Sequence, residues 1–343
     1  MRIALTADPE LPVPPRLYGG IERIIDMLAQ GLTNRGHDVS LFAHPESASA
    51  GRLNAWPGAS SRSTTDSLRN ALALGRAVVV GKFDIIHSFS RIAYLAPILP
   101  LEVPKIMSYQ REISPRTVGL GHTLSRGSLS FTAISHWMME PVRHIGRWDM
   151  IPNGVPLDRY DFRAEVAPDA PLVFLGRIEE IKGPHLAIEI ARRAGRKLII
   201  AGNIPHEKRA WVEAHVLPHV DGDQVRYIGP VDDAQKNDLL GHAAAFLMPI
   251  LWEEPFGIVM AEALACGTPV LALRRGAVPE VVEDGVSGFV RDSLDDLVNS
   301  VKGLSSLDRR ACRLRVKRSY SDAAVVLAYE MLYRDRILKR KHQ

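Results

Sequence analysis

Two glutamates lie eight residues apart in the stretch of the sequence with the clearest chemical pattern, residues 254–270. Glu254 precedes a helix-breaking Pro-Phe-Gly run, and Glu262 lies inside a segment of strong helix formers that begins at Ile258. The first N–H groups of such a helix lack partners within it, so they can bind a phosphate group. Carboxylates beside a phosphate would repel it unless each accepts hydrogen bonds from neutral hydroxyl groups. The pattern therefore suits a sugar and a ribose on either side of a phosphate, and the simpler alternative is a buried helix with two solvated acids.

Two basic residues, Arg177 and Lys182, follow the apolar run at residues 172–175, which predicts a strand. Each of them alone would usually be a solvated surface charge. At the end of a strand that faces a phosphate-binding helix terminus, their cationic groups are better explained as a clamp on a diphosphate.

The elements that must position these residues follow an alternating pattern of short apolar strands and amphipathic helices. A glycine pair, Gly19 and Gly20, stands between the first predicted strand and the first predicted helix. The pair is either a simple turn or a place where the backbone approaches a ligand. A second series of strands and helices begins after residue 150. The sequence therefore predicts two α/β domains with parallel sheets, 1–150 and 151–320, followed by a C-terminal helix within 321–343.

Two segments lack a helical or strand period and predict loops. Residues 51–66 are rich in Ser, Gly and Arg and predict a surface loop. Residues 113–128 predict a mobile loop, with plain surface disorder as the alternative. His87 lies at the end of an earlier predicted strand, where a structural role and a functional role are both open.

The composition limits the class of protein. A chain of 343 residues with 46% hydrophobic content is long enough to bury two ordinary cores. Two cysteines are too few for a disulfide framework. The low aromatic content of 6% and the lack of any nucleic-acid motif argue against nucleic acid as a partner.

Charge and hydropathy bear on the location of the protein. Residues 1–150 and 304–343 are net basic, which suits anionic lipid, a phosphorylated acceptor or solubility alone. The N-terminal segment reaches the acid Asp8 too early for a secretory signal, and no apolar run approaches the roughly 18 residues of a membrane span. We therefore expect a cytoplasmic protein, with peripheral contact to an anionic membrane as a further option.

Residues 254–270 closely resemble the Glu-x7-Glu signature of the retaining family 4 glycosyltransferases, including its Pro-Phe-Gly and Ala-Cys-Gly-Thr-Pro-Val surroundings. The resemblance extends to Tyr18-Gly-Gly-Ile-Glu22, to residues 151–155, to the loop 176–183 and to residues 270–290. It implies the GT-B architecture, in which two doubly wound Rossmann-like domains face each other across a cleft and a C-terminal helix crosses back onto the first domain. The first domain would bind the acceptor and the second domain the nucleotide sugar.

The same resemblance implies a role for each residue of the donor site. Arg177 and Lys182 would stabilise the negative charge on the departing nucleoside diphosphate, a role that a metal ion plays in other transferases. Glu262 would bind both ribose hydroxyls, and Glu254 would bind a hydroxyl of the donor sugar. The remaining donor contacts would involve Gly19, Gly20, Ile228, Phe256, Gly257 and Ile258, with Ile228 next to the nucleobase.

The strand that carries His87 departs from the family pattern. Many relatives have His-x-His at this strand end, and their second histidine faces the reacting centre, whereas this chain has Phe89 at that position. His87 is kept as a catalytic candidate. The missing sugar contact would come from the acceptor-side residues Tyr109, Gln110 or Arg111.

The implied reaction transfers a hexosyl group from a nucleotide sugar to an acceptor hydroxyl with retention of anomeric configuration. A UDP-sugar is favoured as the donor, with GDP-mannose as the alternative, and neither a metal ion nor a cofactor is expected. The acceptor is a glycan, a lipid-linked sugar or a small molecule, and the oligomeric state is open. Two other functions are kept: a hydrolysing nucleotide-sugar epimerase on the same fold and a non-catalytic nucleotide-sugar-binding protein.

Overall fold

The structure is a computed structural model that describes residues 1–16 and 19–340 of the chain. The chain divides into two compact units. The first comprises Met1–Gly154 together with Asp322–Gln343, and the second comprises Val155–Ser321. Tyr18, which belongs to one of the family-like motifs, lies outside the described residues.

A seven-stranded parallel sheet forms the centre of the first unit. Its strands are β1 (Arg2–Thr6), β2 (Asp38–Ala43), β3 (Arg52–Ala55), β4 (Ile85–Ser88), β5 (Lys105–Tyr109), β6 (Leu129–Ala133) and β7 (Trp148–Met150). Their spatial order is β3-β2-β1-β4-β5-β6-β7, so the order of strands reverses between β1 and β4. The helices of this part of the chain are α1 (Gly20–Asn34), α2 (Thr64–Gly81), α3 (Pro115–Leu124) and α4 (His136–Met139).

The patterns of apolar residues explain these elements. Four of the five residues of β1 are buried, as expected for a strand that is covered on both faces of a parallel sheet. Helix α1 buries one apolar stripe against the sheet, which includes Ile24, Ile25, Leu28 and Leu32.

Two loop predictions were wrong. Arg52–Ala55, inside the predicted surface loop 51–66, forms the edge strand β3. Its side chains are half-buried or exposed, so it lacks the apolar alternation from which a strand is predicted. Pro115–Leu124, inside the predicted mobile loop 113–128, forms helix α3. This helix buries only Val118 and Gly121, an apolar stripe too narrow to give a helical period.

A six-stranded parallel sheet forms the second unit. Its strands are β8 (Leu172–Leu175), β9 (Leu198–Ala201), β10 (Val225–Tyr227), β11 (Ala245–Met248), β12 (Val270–Leu273) and β13 (Gly288–Arg291). Its helices are α5 (Pro184–Arg193), α6 (Arg209–His215), α7 (Asp233–Gly241), α8 (Ile258–Ala265), α9 (Val278–Val281), α10 (Leu294–Ser300) and α11 (Arg309–Ser319). The strand order β10-β9-β8-β11-β12-β13 reverses between β8 and β11. In open α/β sheets ligands bind outside the carboxyl ends of the strands at this point.

The last helix, α12 (Asp322–Arg340), packs into the first unit. Its buried apolar side chains are Val325, Val326, Tyr329, Leu332 and Tyr333. The buried carboxylate of Glu330 pairs with Arg35 at 2.5 Å and with His37 at 3.1 Å, and both of these residues follow α1. The helix therefore contributes both apolar and polar contacts to the core of the first unit.

The basic residues at the end of α12 have acidic neighbours. Lys339 pairs with Asp335 at 2.7 Å, and Arg340 lies 3.6 Å from Glu102. Lys341 lies outside the described residues. No helix in the described part of the chain has the length and apolar character needed to cross a bilayer.

Candidate functional site

The loop after β11 brings Glu254 to the carboxyl edge of the second sheet. The main-chain carbonyl of Glu254 accepts a hydrogen bond from the N–H of Ala277 at 2.8 Å, which fixes the loop. The side chain is 8% exposed, and its Oε2 accepts hydrogen bonds from Lys182 Nζ at 2.8 Å and from Trp252 Nε1 at 3.0 Å. The Lys182 ammonium also lies 4.4 Å from the centre of the Trp252 ring. Two of the predicted residues, Lys182 and Glu254, thus form one largely buried ion pair.

A glycine sets how closely the loops after β8 and β11 approach each other. Gly183 has a φ of +74°, and a Cβ atom there would collide with the carbonyl oxygen of Pro249. Beside it, the N–H of Leu251 donates to the carbonyl of Ile181 at 2.9 Å. Because any other residue would push the two loops apart, Gly183 determines where Lys182 lies.

Helix α8 begins at this edge with no side chain capping its amino terminus. Gly257 precedes it with a φ of +74°, and a Cβ atom there would lie 2.7 Å from the Met260 side chain. Phe256 is buried against the ring of Tyr320, so its side chain supports the turn. The first N–H groups of α8, from Ile258 onward, carry partial positive charge and suit an anion.

Glu262 is buried within α8, and two side chains hold one of its oxygens. The Tyr160 hydroxyl donates to Oε1 at 2.7 Å, and Lys236 Nζ donates to the same oxygen at 2.6 Å. Lys236 also lies 3.2 Å from Asp233. Burial opposes the charge of Lys236, but the two carboxylates outweigh burial and raise its pKa. Burial and the Glu262 charge raise the pKa of Tyr160, so its hydroxyl stays a donor.

Tyr160 and Lys236 are site residues that the sequence did not reveal. Neither belongs to a motif, and they lie 102 and 26 residues from Glu262 along the chain. Only the folded second unit brings them to one carboxylate oxygen.

Two further predicted residues of this unit, Arg177 and Ile228, follow other strands. Arg177, after β8, pairs with Glu179 at 2.8 Å, and its side chain is 47% exposed. Ile228, after β10, is 41% exposed. Both residues follow the carboxyl ends of their strands, where a ligand can reach them.

An Asp-x-Asp triplet, whose carboxylates are of a type that can bind a metal ion, lies in the turn before β10. Asp221 Oδ1 accepts hydrogen bonds from the N–H groups of Val225 at 3.0 Å and Asp223 at 2.9 Å, which lower the pKa of Asp221. Asp223 pairs with Lys197 at 2.8 Å. Among the described residues, no three or more His, Cys, Asp or Glu side chains are grouped to hold a metal ion. Whether the protein needs a metal ion stays a prediction.

His87 has a structural environment in the first unit. It is fully buried, and its Nδ1 lies 2.6 Å from the Tyr333 hydroxyl while its Nε2 lies 2.5 Å from Ser108 Oγ. Phe89, which replaces the second histidine of the family pattern, packs 4.2 Å from the centre of the His87 ring. Because both ring nitrogens have partners and no atom is exposed, this geometry argues against the predicted catalytic role of His87.

The buried imidazole predicts a loss of stability in acid. Burial lowers the pKa of His87 to about 3, whereas the pKa in the unfolded chain is about 6.5. Below pH 6.5 the unfolded state therefore binds a proton that the folded state does not, and stability is lost as the pH falls. At pH 5 we expect a loss of about 2 kcal/mol relative to pH 7.5. Thermal melts of the wild type and His87→Gln should show a weaker pH dependence for the variant, and parallel curves would contradict the prediction.

The remaining predicted residues of the first unit lie near the carboxyl ends of β1 and β5. Gly19 and Gly20 lead into α1; a Cβ atom at Gly19 would collide with Pro15, whereas one at Gly20 would have no heavy atom within 4 Å. Tyr109 is half-buried and packs against the rings of Phe131 and Trp148 at the border of the core.

An acid that was not predicted lies beside the acceptor-side residues. Asp8 follows β1, and its carboxylate lies 3.8 Å from the exposed Arg111. Burial and the nearby charge of Glu10 raise the pKa of Asp8 to about 6. Gln110, between Tyr109 and Arg111, is half-buried. The position of Asp8 just after the first predicted strand could have indicated a site residue. Its burial, which raises its pKa, could not be predicted from the sequence.

Two family models match consecutive parts of the chain. The model described as glycosyl transferases group 1 matches residues 162–317, and the model described as glycosyltransferase family 4 matches residues 18–159.

Curated relatives match over most of their length. The phosphatidyl-myo-inositol mannosyltransferase of Mycobacterium tuberculosis (strain ATCC 25618 / H37Rv) is 28% identical over 337 residues, covering 84% of this chain and 82% of that protein. The spore coat protein SA of Bacillus subtilis (strain 168) is 24% identical over 336 residues, covering 84% of this chain and 85% of that protein.

Solved structures share the fold. A glycosyltransferase from Rickettsia africae ESF-5 superposes with a TM-score of 0.81 at 18% identity, covering 98% of this chain and 99% of that one. Anabaena Alr3699/HepE, solved in complex with UDP and glucose, superposes with a TM-score of 0.72 at 17% identity, covering 98% and 100%. The two parallel α/β units therefore have the GT-B fold.

Proposed function

Because the chain belongs to the group 1 glycosyl transferases of family 4, we propose that it moves a hexosyl group from a nucleotide sugar to an acceptor hydroxyl with retention of configuration. The observation that carries the proposal is the arrangement at the carboxyl edge of the second sheet. One buried ion pair, Lys182 with Glu254, lies at the strand reversal, and a second buried carboxylate, Glu262, lies in the helix that begins there.

The charges of this edge suit a nucleoside diphosphate. An ammonium group has three N–H donors, so Lys182 can hold Glu254 and still donate to a phosphate oxygen. The uncapped start of α8 offers backbone N–H groups to the same kind of anion. Arg177 is exposed enough to turn from Glu179 towards a ligand. Ile228 and the backbone at Gly257 and the neighbouring residues complete the proposed donor contacts.

The proposed donor is a UDP-sugar, with GDP-mannose as the alternative. Anabaena Alr3699/HepE, which shares the fold, binds UDP and glucose, and this supports the first choice. The mannosyltransferase relative supports mannose as the alternative sugar. The acceptor is a glycan, a lipid-linked sugar or a small molecule; the name of the same relative, which contains phosphatidyl-myo-inositol, favours a lipid-linked one.

The proposed chemistry is a front-face substitution that needs no metal ion. The bond from the anomeric carbon to the leaving phosphate breaks while the acceptor oxygen bonds to the same face of that carbon. The leaving phosphate oxygen takes the acceptor proton, so no protein base is required. Lys182, Arg177 and the start of α8 stabilise the charge that grows on the phosphate.

The proposal is tested by a donor screen followed by product analysis. We expect one nucleotide sugar to raise the melting temperature, and that donor should release free nucleoside diphosphate when an acceptor is present. The anomeric configuration of the product, measured by NMR, should match that of the donor. Stabilisation without release would favour a non-catalytic binder, and a sugar with altered ring stereochemistry would favour the epimerase.

The two glutamates should give opposite results in binding. Glu262→Gln should weaken the binding of free nucleoside diphosphate by about 1–3 kcal/mol, because a charged acceptor of ribose hydroxyls becomes neutral. Glu254→Gln is the matched control, which should keep the diphosphate affinity and lose turnover because its proposed partner is on the sugar. Calorimetry measures both affinities for nucleoside diphosphate. An unchanged affinity of Glu262→Gln would contradict the proposal that Glu262 binds the ribose hydroxyls.

Contact with an anionic membrane also stays a proposal. It is supported by the net basic charge of residues 304–343 and opposed by the ion pairs of Lys339 and Arg340. Liposome flotation with anionic and with neutral vesicles would test it directly, and equal recovery from both would rule it out.

A further inference from the structure

The Glu262 carboxylate is asymmetric. Both hydrogen bonds that it accepts, from Tyr160 and from Lys236, go to Oε1, at 2.7 and 2.6 Å. Within residues 1–16 and 19–340, no hydrogen bond reaches Oε2. One oxygen is therefore occupied by protein donors, and the other can still accept hydrogen bonds from a ligand.

The two protein donors hold the carboxylate from different elements. Tyr160 lies near the start of the second unit and is 7% exposed, and Lys236 lies in α7 with a side chain that is 17% exposed. The Lys236 ammonium is 5.6 Å from the centre of the Tyr160 ring and 3.2 Å from Asp233. Since both donors are buried or anchored by a second contact, they hold Oε1 in place before any ligand arrives and so restrict rotation of the Glu262 carboxylate.

We propose that Tyr160 and Lys236 are positioning residues that make Glu262 selective for a ligand with two adjacent hydroxyl groups, such as the 2′ and 3′ hydroxyls of a ribonucleotide. A fixed Oε2 can accept one hydrogen bond on each lone pair. Lys236 has a third N–H donor beyond those directed at Glu262 and Asp233, and it can reach an oxygen of the same pair of hydroxyls. The inference rests on the proposed function, in which Glu262 binds ribose.

The selectivity arises because a missing hydroxyl leaves a buried charged acceptor without a partner. Sites built to bind a hydroxyl reject ligands that lack it for this reason. A carboxylate that can rotate would adjust to a single hydroxyl and lose less. The quantity that reports positioning is therefore the ratio of affinities for ribonucleotide and deoxyribonucleotide, and the affinity for either one alone does not report it.

The test uses the full-length protein and calorimetry with UDP, 2′-deoxy-UDP and 3′-deoxy-UDP, or the GDP series if the donor screen selects guanine. The wild type should bind the ribonucleotide about 10- to 100-fold more tightly than either deoxy form. Lys236→Met should reduce this ratio to about 3-fold or less, and Tyr160→Phe, which removes a single hydroxyl, should reduce it in part. Lys197→Met removes a similar charge from an exposed pair in the same unit and should leave the ratio unchanged.

The outcomes separate this inference from the proposed function. Thermal melts should show that Tyr160→Phe is folded even if Lys236→Met is not. The ratio of ribonucleotide to deoxyribonucleotide affinity can then still be measured for Tyr160→Phe. A wild type that binds UDP without discriminating the deoxy forms would overturn the selectivity while leaving the transferase intact. If folded variants keep the wild-type affinity ratio, Tyr160 and Lys236 have only a structural role and the positioning role is wrong. A wild type that binds no nucleotide would overturn both the inference and the proposed function.

Discussion

Lys182→Ala should lower kcat by about 100- to 1000-fold, the typical cost of removing one preorganised group that stabilises charge in a transition state. Negative charge grows on the leaving phosphate as the glycosidic bond breaks, and the Lys182 ammonium is held 2.8 Å from Glu254 before substrate binds. Because the charge is larger in the transition state than in the ground state, kcat should fall more than the donor KM rises. Steady-state kinetics over a range of donor concentrations separates the two constants.

Four further measurements interpret that result. Arg177→Ala should show the same pattern, and Lys197→Ala, which removes an exposed cation paired with Asp223 in the same unit, should keep kcat within about twofold. A melting curve of Lys182→Ala checks that leaving Glu254 without its cation has not unfolded the protein. Chelation should leave the wild-type rate nearly unchanged. If chelation stops turnover while both alanine variants keep a normal kcat, a metal ion does this work and the assignment is wrong.

A chain that stops after Ser321 should fail to fold its first unit. Helix α12 buries two valines, one leucine and two tyrosines, and truncating one large core side chain typically costs about 2–5 kcal/mol. The loss of all five is therefore comparable to or larger than the roughly 5–15 kcal/mol by which a domain is stable. We expect aggregation or exposed apolar surface, detected by light scattering and by dye binding.

Point variants in the same helix keep this prediction testable when the truncated chain cannot be purified. Tyr333→Ala removes a fully buried ring and its hydroxyl contact with His87, so the melting temperature should fall by roughly 6–20 °C. Met331→Ala, at a position that is 63% exposed, should change it by no more than about 2 °C. A truncated protein that stays monodisperse with an unchanged melting temperature would show that α12 is dispensable.

Much of the fold could be predicted because parallel sheets give long apolar signals. The strand at 172–175 and the helix that begins at Ile258 were predicted where they occur, as Leu172–Leu175 and Ile258–Ala265. Each is buried, so its apolar character is continuous and its ends are marked by Gly or Pro. Edge strand β3 and helix α3 were missed because exposed elements need few apolar residues.

The candidate site was less predictable than the fold. The motif residues identified Glu254, Glu262 and Lys182, but they did not indicate which side chains hold these groups. Tyr160 and Lys236 contact Glu262 only after segments that are distant in the sequence pack together. Such contacts cannot be inferred from a single sequence. For His87 the sequence left a structural and a functional role open, because burial depends on the rings of α12, far away in the chain.

The return of α12 to the first unit also bears on the order in which the chain folds during its synthesis. Domains generally fold as units, amino-terminal first, as the ribosome extends the chain at about 5–20 residues per second. Here the core of the first unit lacks Tyr329 and Tyr333 until the whole second unit, Val155–Ser321, has been made. At those rates the delay is roughly 10–30 s. During this time the sheet of the first unit has been synthesised but α12 has not. The second unit is continuous in sequence and meets no such delay, so the nascent chain completes its second unit before its first.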